Sequence, residues 1–194
     1  MAKADPEAST RERNKNIKWV VTIFFVTIFI SGTISLLSDV IMASSTMAVA
    51  FLILLLIIFI GIIFDIIGMA VATADEKPFH AMAARKVPGA REAIQLLRNA
   101  ERVSSICNDV VGDICGVVSG SASATIAAQI LANFTFSWPQ IISLAMSALA
   151  AGLTVGGKAI GKSFAVNSCV SIVHTVGRIM HTLNNLTCRS GKKK

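Results

Sequence analysis

Apolar residues in this chain gather into four long runs separated by short polar segments. Residues 19–37 carry no charge, residues 47–74 carry one (Asp65), residues 103–132 carry Asp109 and Asp113, and residues 139–157 stop at Lys158. A helix needs ~20 apolar residues to cross a bilayer, so each run predicts a transmembrane helix. Basic residues precede the first run, as in a signal peptide. Its apolar stretch exceeds the roughly 7–15 residues of a signal core, which predicts a retained signal-anchor.

Two further segments have helical period. Residues 78–102 read as two short helices broken at Pro88-Gly89, the second with an apolar stripe of Ala93, Ile94, Leu97 and Ala100. Beyond Lys162, Ile172, Val176, Ile179 and Leu183 form another stripe, with His174, Arg178 and His181 on the polar face. Such stripes suit helices that lie at the membrane surface or pack on each other. The expected fold class is therefore an all-α polytopic membrane protein: four transmembrane helices, a juxtamembrane helical hairpin and a C-terminal interfacial helix. Its organisation divides into a basic tail (1–18), an additional helix (19–38), a three-span domain (47–186) that includes the hairpin (75–102), and a basic tail (187–194).

Composition agrees with this class. The 194 residues are 54% hydrophobic and 15% charged, where a soluble domain carries ~25% charge, and the mean hydropathy is +0.69. The 18 Lys and Arg against 11 Asp and Glu leave a net charge of +7, and their placement sets the topology. All eighteen cations precede the first run, lie between the second and third, or follow the start of Lys158; none falls in the loops 38–46 or 133–138. The positive-inside rule then places both termini and the hairpin in the cytoplasm and the two short loops outside, in a bacterial inner or plasma membrane. The cations avoid the apolar runs and the chain has no Tyr, so the basic face with interleaved aromatics that nucleic acid requires is missing.

Soluble catalytic chemistry is not signalled. Cys107, Cys115, Cys169 and Cys188 form no CxxC pair, which predicts free thiols. His80, His174 and His181 lack zinc-ligand spacing, and no nucleophile elbow, Walker loop or dinucleotide fingerprint occurs. Asn133-Phe134-Thr135 is a glycosylation sequon on an expected outer loop.

Ionisable groups inside spans are costly and mark function. Asp65 lies ten residues before the hairpin segment, Asp109 and Asp113 lie seven and eleven residues after Arg102, and Lys158 closes the fourth run, so all four sit at similar depth in the cytoplasmic half. Asp109 and Asp113 are spaced i, i+4, and Ser104 and Asn108 stack likewise beside them. This oxygen-rich wall suits a hard divalent cation such as Mg²⁺, which takes one or two carboxylates and keeps several waters. Alternatively the carboxylates are internal partners of Lys158 and Lys162 that hold the bundle together. Gly112, Gly116 and Gly120 on the third run, and Gly152 and Gly156 on the fourth, are flat faces of the kind that pack helices closely or join two copies in a homodimer.

From Phe64 to about Leu186 the chain resembles the transmembrane domain of the CorC/CorB and cyclin M family of magnesium transporters. FDIIGMAVATAD is similar to the family's F-S-x-S-E-x-A-L-x-x-A, LLRNAERVSS to its L-L-x-N-P-E-R-x-x-S, and GKAIGKSFA to its G-E-x-x-P-K-x-x-A, in the same order. The resemblance implies three spans with a hairpin after the first and a juxtamembrane helix after the third. It also implies magnesium held between the spans by serine, asparagine and acidic side chains. Ser105, Asn108 and Asp65 fall on such positions, while Gly68 and Lys158 stand where the family has Glu, and Gly161 where it has Pro. The nucleotide-binding pair that follows this domain in the family has no counterpart in these residues.

The expected function is divalent-cation transport, with Asp65, Ser104, Ser105, Asn108, Asp109 and Asp113 supplying oxygens and Lys158 acting as an internal gate charge. The alternative is a non-transporting scaffold or regulatory subunit in which Lys158 replaces the cation.

Overall fold

The computed structural model describes residues 6–43, 45–133 and 138–191, with side chains for 17–42, 45–133 and 138–186. The side chains of the basic residues before Lys18, Cys188, the last tail and most of the glycosylation sequon lie outside these. No strand occurs among the described residues. Eight α-helices and one π-helical segment follow in order: α1 (Pro6–Ala43), α2 (Met47–Thr73), α3 (Lys77–Ala84), α4 (Ala90–Arg98), α5 (Ala100–Ser105), the π-segment (Ile106–Val111), α6 (Gly112–Asn133), α7 (Pro139–Asn167) and α8 (Cys169–Gly191). Four helical stretches are long and apolar enough to cross a membrane: Ile17–Met42, Met47–Thr73, Ala100–Asn133 and Pro139–Asn167.

Three boundaries differ from the pattern. Helix α1 begins at Pro6, inside the segment read as a tail, because nothing between Pro6 and Lys18 breaks a helix. It also runs through Asp39, which the pattern placed in an outer loop. Helix α7 continues ten residues beyond Gly157; Lys158 and Lys162 ride on it, since lysine is a good helix former and only the hydropathy ended there.

Helix α2 is the centre of the bundle. Its buried residues Ala50, Leu54, Ile58, Gly61, Asp65 and Gly68 recur at helical spacing, and it packs on α6, α7, α8, α5 and the π-segment. One core layer joins Ala50, Leu54 and Ile58 to Met42, Ala122, Ile126 and Met146. At the hairpin end, a second layer joins Ala70 and Val71 to Phe79, Ala93, Leu97, Ala165 and Val173. Two close helix approaches use glycines outside the small-residue faces of the pattern. A Cβ at Gly61 would lie 2.8 Å from the Cys115 Cβ, and one at Gly161 2.8 Å from the Ile66 Cγ1. Gly116, Gly120, Gly152 and Gly156 have open space instead, so within one chain they are not the packing faces their spacing suggested.

Helix α1 leans on α6 and scarcely touches α2. Polar groups register the seam: the Ser35 and Ser121 hydroxyls are 3.4 Å apart, Thr125 Oγ1 donates to Asp39 Oδ1 at 3.4 Å, and Gln129 Nε2 donates to the Met42 carbonyl at 2.8 Å. Partner numbers rise together along both helices, so α1 and α6 run parallel. The Arg102 guanidinium lies 5.4 Å from the Trp19 ring and ties α1 to α5 at the hairpin end.

The hairpin closes through a Schellman motif. Val87 N–H bonds the Met82 carbonyl and Lys86 N–H the Ala83 carbonyl, both at 3.0 Å, with Lys86 left-handed at φ 56°. Gly89, at φ 87°, starts α4 against α8: a Cβ there would meet the Arg178 backbone nitrogen at 2.5 Å. On α8 the packed face is Val173 and Gly177, flanked by half-buried Ile172 and Val176, while Ile179 and Leu183 are exposed. The packed face is thus turned from the stripe read in the sequence, because Gly177 admits the backbone of Gly89 where a larger side chain would hold the helices apart.

Candidate intramembrane polar site

Asp65 occupies one turn of α2's buried stripe and is only 4% exposed. An isolated carboxylate at such a place is costly. From α7, Lys158 places Nζ 4.0 Å from Asp65 Oδ1 and 3.4 Å from the Gly112 carbonyl oxygen, to which it donates. Both contacts are long. A Cβ at Gly112 would stand 3.3 Å from the same Nζ, so glycine there gives the ammonium its room.

The π-segment supplies the third wall. Its wider turn changes the helix phase where the third span meets Asp65 and Lys158, and such segments recur at functional sites. Ser104 and Asn108 form one i, i+4 pair, with Asn108 Nδ2 donating to Ser104 Oγ at 3.3 Å. Ser105 and Asp109 form the next, with Ser105 Oγ donating to Asp109 Oδ2 at 2.7 Å. The two pairs stand on different faces. Asn108 is half-buried against α2, whereas Asp109 is exposed, as is Asp113 one turn on. The single oxygen-rich wall read from the sequence is thus split: Asp65, Ser104, Asn108 and Lys158 turn toward the interior, and Ser105, Asp109 and Asp113 turn away. Among the described residues no three His, Cys, Asp or Glu side chains come together as a metal cluster.

Two acceptors at this site, Asp65 Oδ2 and Asn108 Oδ1, are buried and unpartnered, as is Gln129 Oε1 in the α1–α6 seam. Gly68, one turn along α2 from Asp65, lies directly under the Asn108 oxygen, and a Cβ at 68 would fall on Oδ1 and come 2.8 Å from Cγ. Asn108 thus packs on α2 one turn from Asp65. Two buried acceptors, one of them on the carboxylate that the Lys158 ammonium holds loosely, each have hydrogen-bonding capacity left for a positively polarised partner such as a water or a hydrated cation. Two oxygens from one carboxylate and one amide, with the Ser104 hydroxyl behind, fit the hard, partly hydrated coordination of Mg²⁺.

A cleft of about 440 Å³ opens beside this site, lined by Ala72, Ala100, Glu101, Ser104, Ser105 and Asp109. Ser104 belongs to both, lining the cleft and accepting from Asn108. Cys107 is buried next to Asn108, and Cys107, Cys115 and Cys169 are free. Sequence reasoning missed the Asp39–Thr125–Gln129 seam; the i, i+4 repeats Ser35/Asp39 and Ser121/Thr125/Gln129 were its available signal. Comparison with known proteins gives no match to a family model, a curated protein or a solved structure.

Proposed function

We propose that the chain is a multi-pass membrane transport protein that binds a divalent cation, magnesium in the first instance, between α2, the π-segment and α7. The observation that carries this reading is the pair of buried oxygens without donors, Asp65 Oδ2 and Asn108 Oδ1, inside helices apolar enough to span a bilayer. The short motifs shared with the magnesium transporters support it. In this reading the cation approaches through the cleft, where Glu101, Ser105 and Asp109 offer oxygens, and sheds part of its water against Ser104 and Asn108 before reaching Asp65. Lys158 holds the Asp65 charge while the cation is away, which keeps an unpaired carboxylate out of the apolar interior. Asp113 lies on the outward face and contributes field rather than ligation. In this reading the hairpin, α8 and both termini face the cytoplasm of a bacterial inner or plasma membrane, which the positive-inside rule supports. The open glycine faces of α6 and α7 offer a second copy a surface for a homodimer.

One observation favours a second reading, a scaffold or regulatory subunit: Lys158 already stands 4.0 Å from Asp65 and neutralises it. Calorimetric titration of Mg²⁺ into detergent-purified protein separates the two. Transport predicts saturable binding that Asp65→Asn weakens about tenfold or more, the value of losing one charged ligand. No binding by the native chain, with binding appearing in Lys158→Glu, establishes the scaffold.

A further inference from the structure

A second pocket lies outside the spans, between the hairpin and α8. It holds about 360 Å³ and is lined by Ala83, Lys86, Val87, Pro88, Gly89, Arg91, Glu92 and His181, of which the charged and imidazole groups carry the argument. Lys86 and Arg91 are exposed, and neither makes an ion pair within 4.0 Å among the described residues. Glu92, the one carboxylate in the wall, is occupied: His181 Nδ1 lies 2.7 Å from its Oε1, and Asn185 Nδ2 lies 3.0 Å from His181 Nε2. Those two bonds fix the imidazole as the back wall and bind the Glu92 charge to α8. Two cations without a close ion pair then face a cavity whose only acid is engaged with His181, beside the first turn of α4, where the helix dipole adds positive potential.

We propose that this pocket binds a phosphate group, with Lys86 and Arg91 as its charged donors. Arg supplies a bidentate fork for phosphate and Lys a point charge, and the cavity is sized for a phosphate with a small substituent. The group is carried by a soluble anion or by a lipid headgroup, since the hairpin directly follows the span of α2. The proposal stands independently of the intramembrane cation reading.

Lys86 also makes the test unusually clean. It occupies the left-handed position of the hairpin turn, where glycine is the unstrained residue, so Lys86→Gly removes the cation while easing the backbone. Detergent-purified full-length chain is titrated with inorganic phosphate and, in parallel, mixed with vesicles of phosphatidylcholine alone or with phosphatidylglycerol. Variants are Lys86→Gly, Arg91→Gln and a charge-matched control, Arg98→Gln. Expected is binding in at least one arm, weakened about tenfold by each pocket variant and little by the control, while Lys86→Gly melts no lower than the native chain. Phosphate binding assigns the site to a soluble anion; vesicle binding that needs phosphatidylglycerol and no response to free phosphate assigns it to a lipid. An equal loss in the control means diffuse surface charge and overturns the proposal, as does the absence of binding in both arms.

Discussion

The Asp65–Lys158 pair is the sharpest test of the bundle's energetics. At their 4.0 Å separation, two unit charges attract by about 4 kcal/mol at an effective dielectric of about 20. The side chains are 6% and 21% exposed, so each also loses several kcal/mol of hydration. Desolvation therefore offsets the attraction or exceeds it, and the intact pair contributes no net stability. Breaking it is different, because the survivor stays buried without its partner. Lys158→Met is expected to cost about 3–5 kcal/mol, and Asp65→Leu a comparable amount. The double variant, which buries two apolar side chains instead, is expected within about 1 kcal/mol of the native chain. Reversible unfolding in mixed micelles, followed by helical circular dichroism across a denaturing-detergent titration, measures all four corners of the cycle. Single variants that cost under about 1 kcal/mol, or losses that add in the double with coupling below about 0.5 kcal/mol, would show that water reaches both groups and that they do not interact as argued.

Gly68→Ala puts a methyl against the Asn108 amide. It is expected to cost about 1–3 kcal/mol as an overpacked site and to weaken Mg²⁺ binding, both read on the same preparation by unfolding and calorimetry. Ser35→Cys with Ser121→Cys, whose hydroxyls stand 3.4 Å apart, is expected to cross-link under mild oxidation, and thiol titration that still finds both groups would contradict the parallel α1–α6 seam. The pH dependence follows from Glu92. Burial pushes its carboxyl up, but the His181 hydrogen bond, its own amide and the charges of His181 and Arg91 outweigh burial and hold it below the ordinary value of 4.5. A lowered carboxylate stabilises the fold above its unfolded value, and that contribution is lost as pH falls through the folded one. Melting of the native chain is therefore expected to drop below about pH 4.5 more steeply than that of Glu92→Gln, and parallel curves would show that the Glu92–His181 contact does not stabilise the fold.

Element types were legible because they depend on quantities a sequence carries directly. The four apolar runs are long enough to demand helices in a bilayer, where no other segment satisfies its own backbone, and Pro88-Gly89 breaks the hairpin where the structure turns. Boundaries were less legible for a definite reason: hydropathy marks where lipid ends, whereas a helix ends where its hydrogen bonding does. Hence α7 carries Lys158 and Lys162 past the apolar edge, and α1 absorbs residues read as a tail. The small-residue faces misled because spacing reveals a flat surface without saying what lies opposite. Gly61 and Gly161 meet Cys115 and Ile66, while Gly152 and Gly156, better spaced, meet nothing within 4 Å among the described residues.

The candidate site was half legible, and the missing half is one of phase. A run of Ser104, Ser105, Asn108 and Asp109 contains two i, i+4 pairs, and nothing in the run itself says which pair faces inward. The face is chosen by α2. Gly68, alone on its turn in lacking a side chain, accepts the Asn108 amide, and an amide seated there turns Ser104 inward and Asp109 out. The π-segment from Ile106 to Val111 absorbs the change of phase, so that Val110 and Ile114 still reach their own core layer with Val118. Glycine at 68, asparagine at 108 and the wide turn between 106 and 111 are therefore one arrangement. The lysine at 158 belongs to the same arrangement: of Asp65, Asp109 and Asp113, Asp65 alone is buried, and one ammonium is the charge it requires.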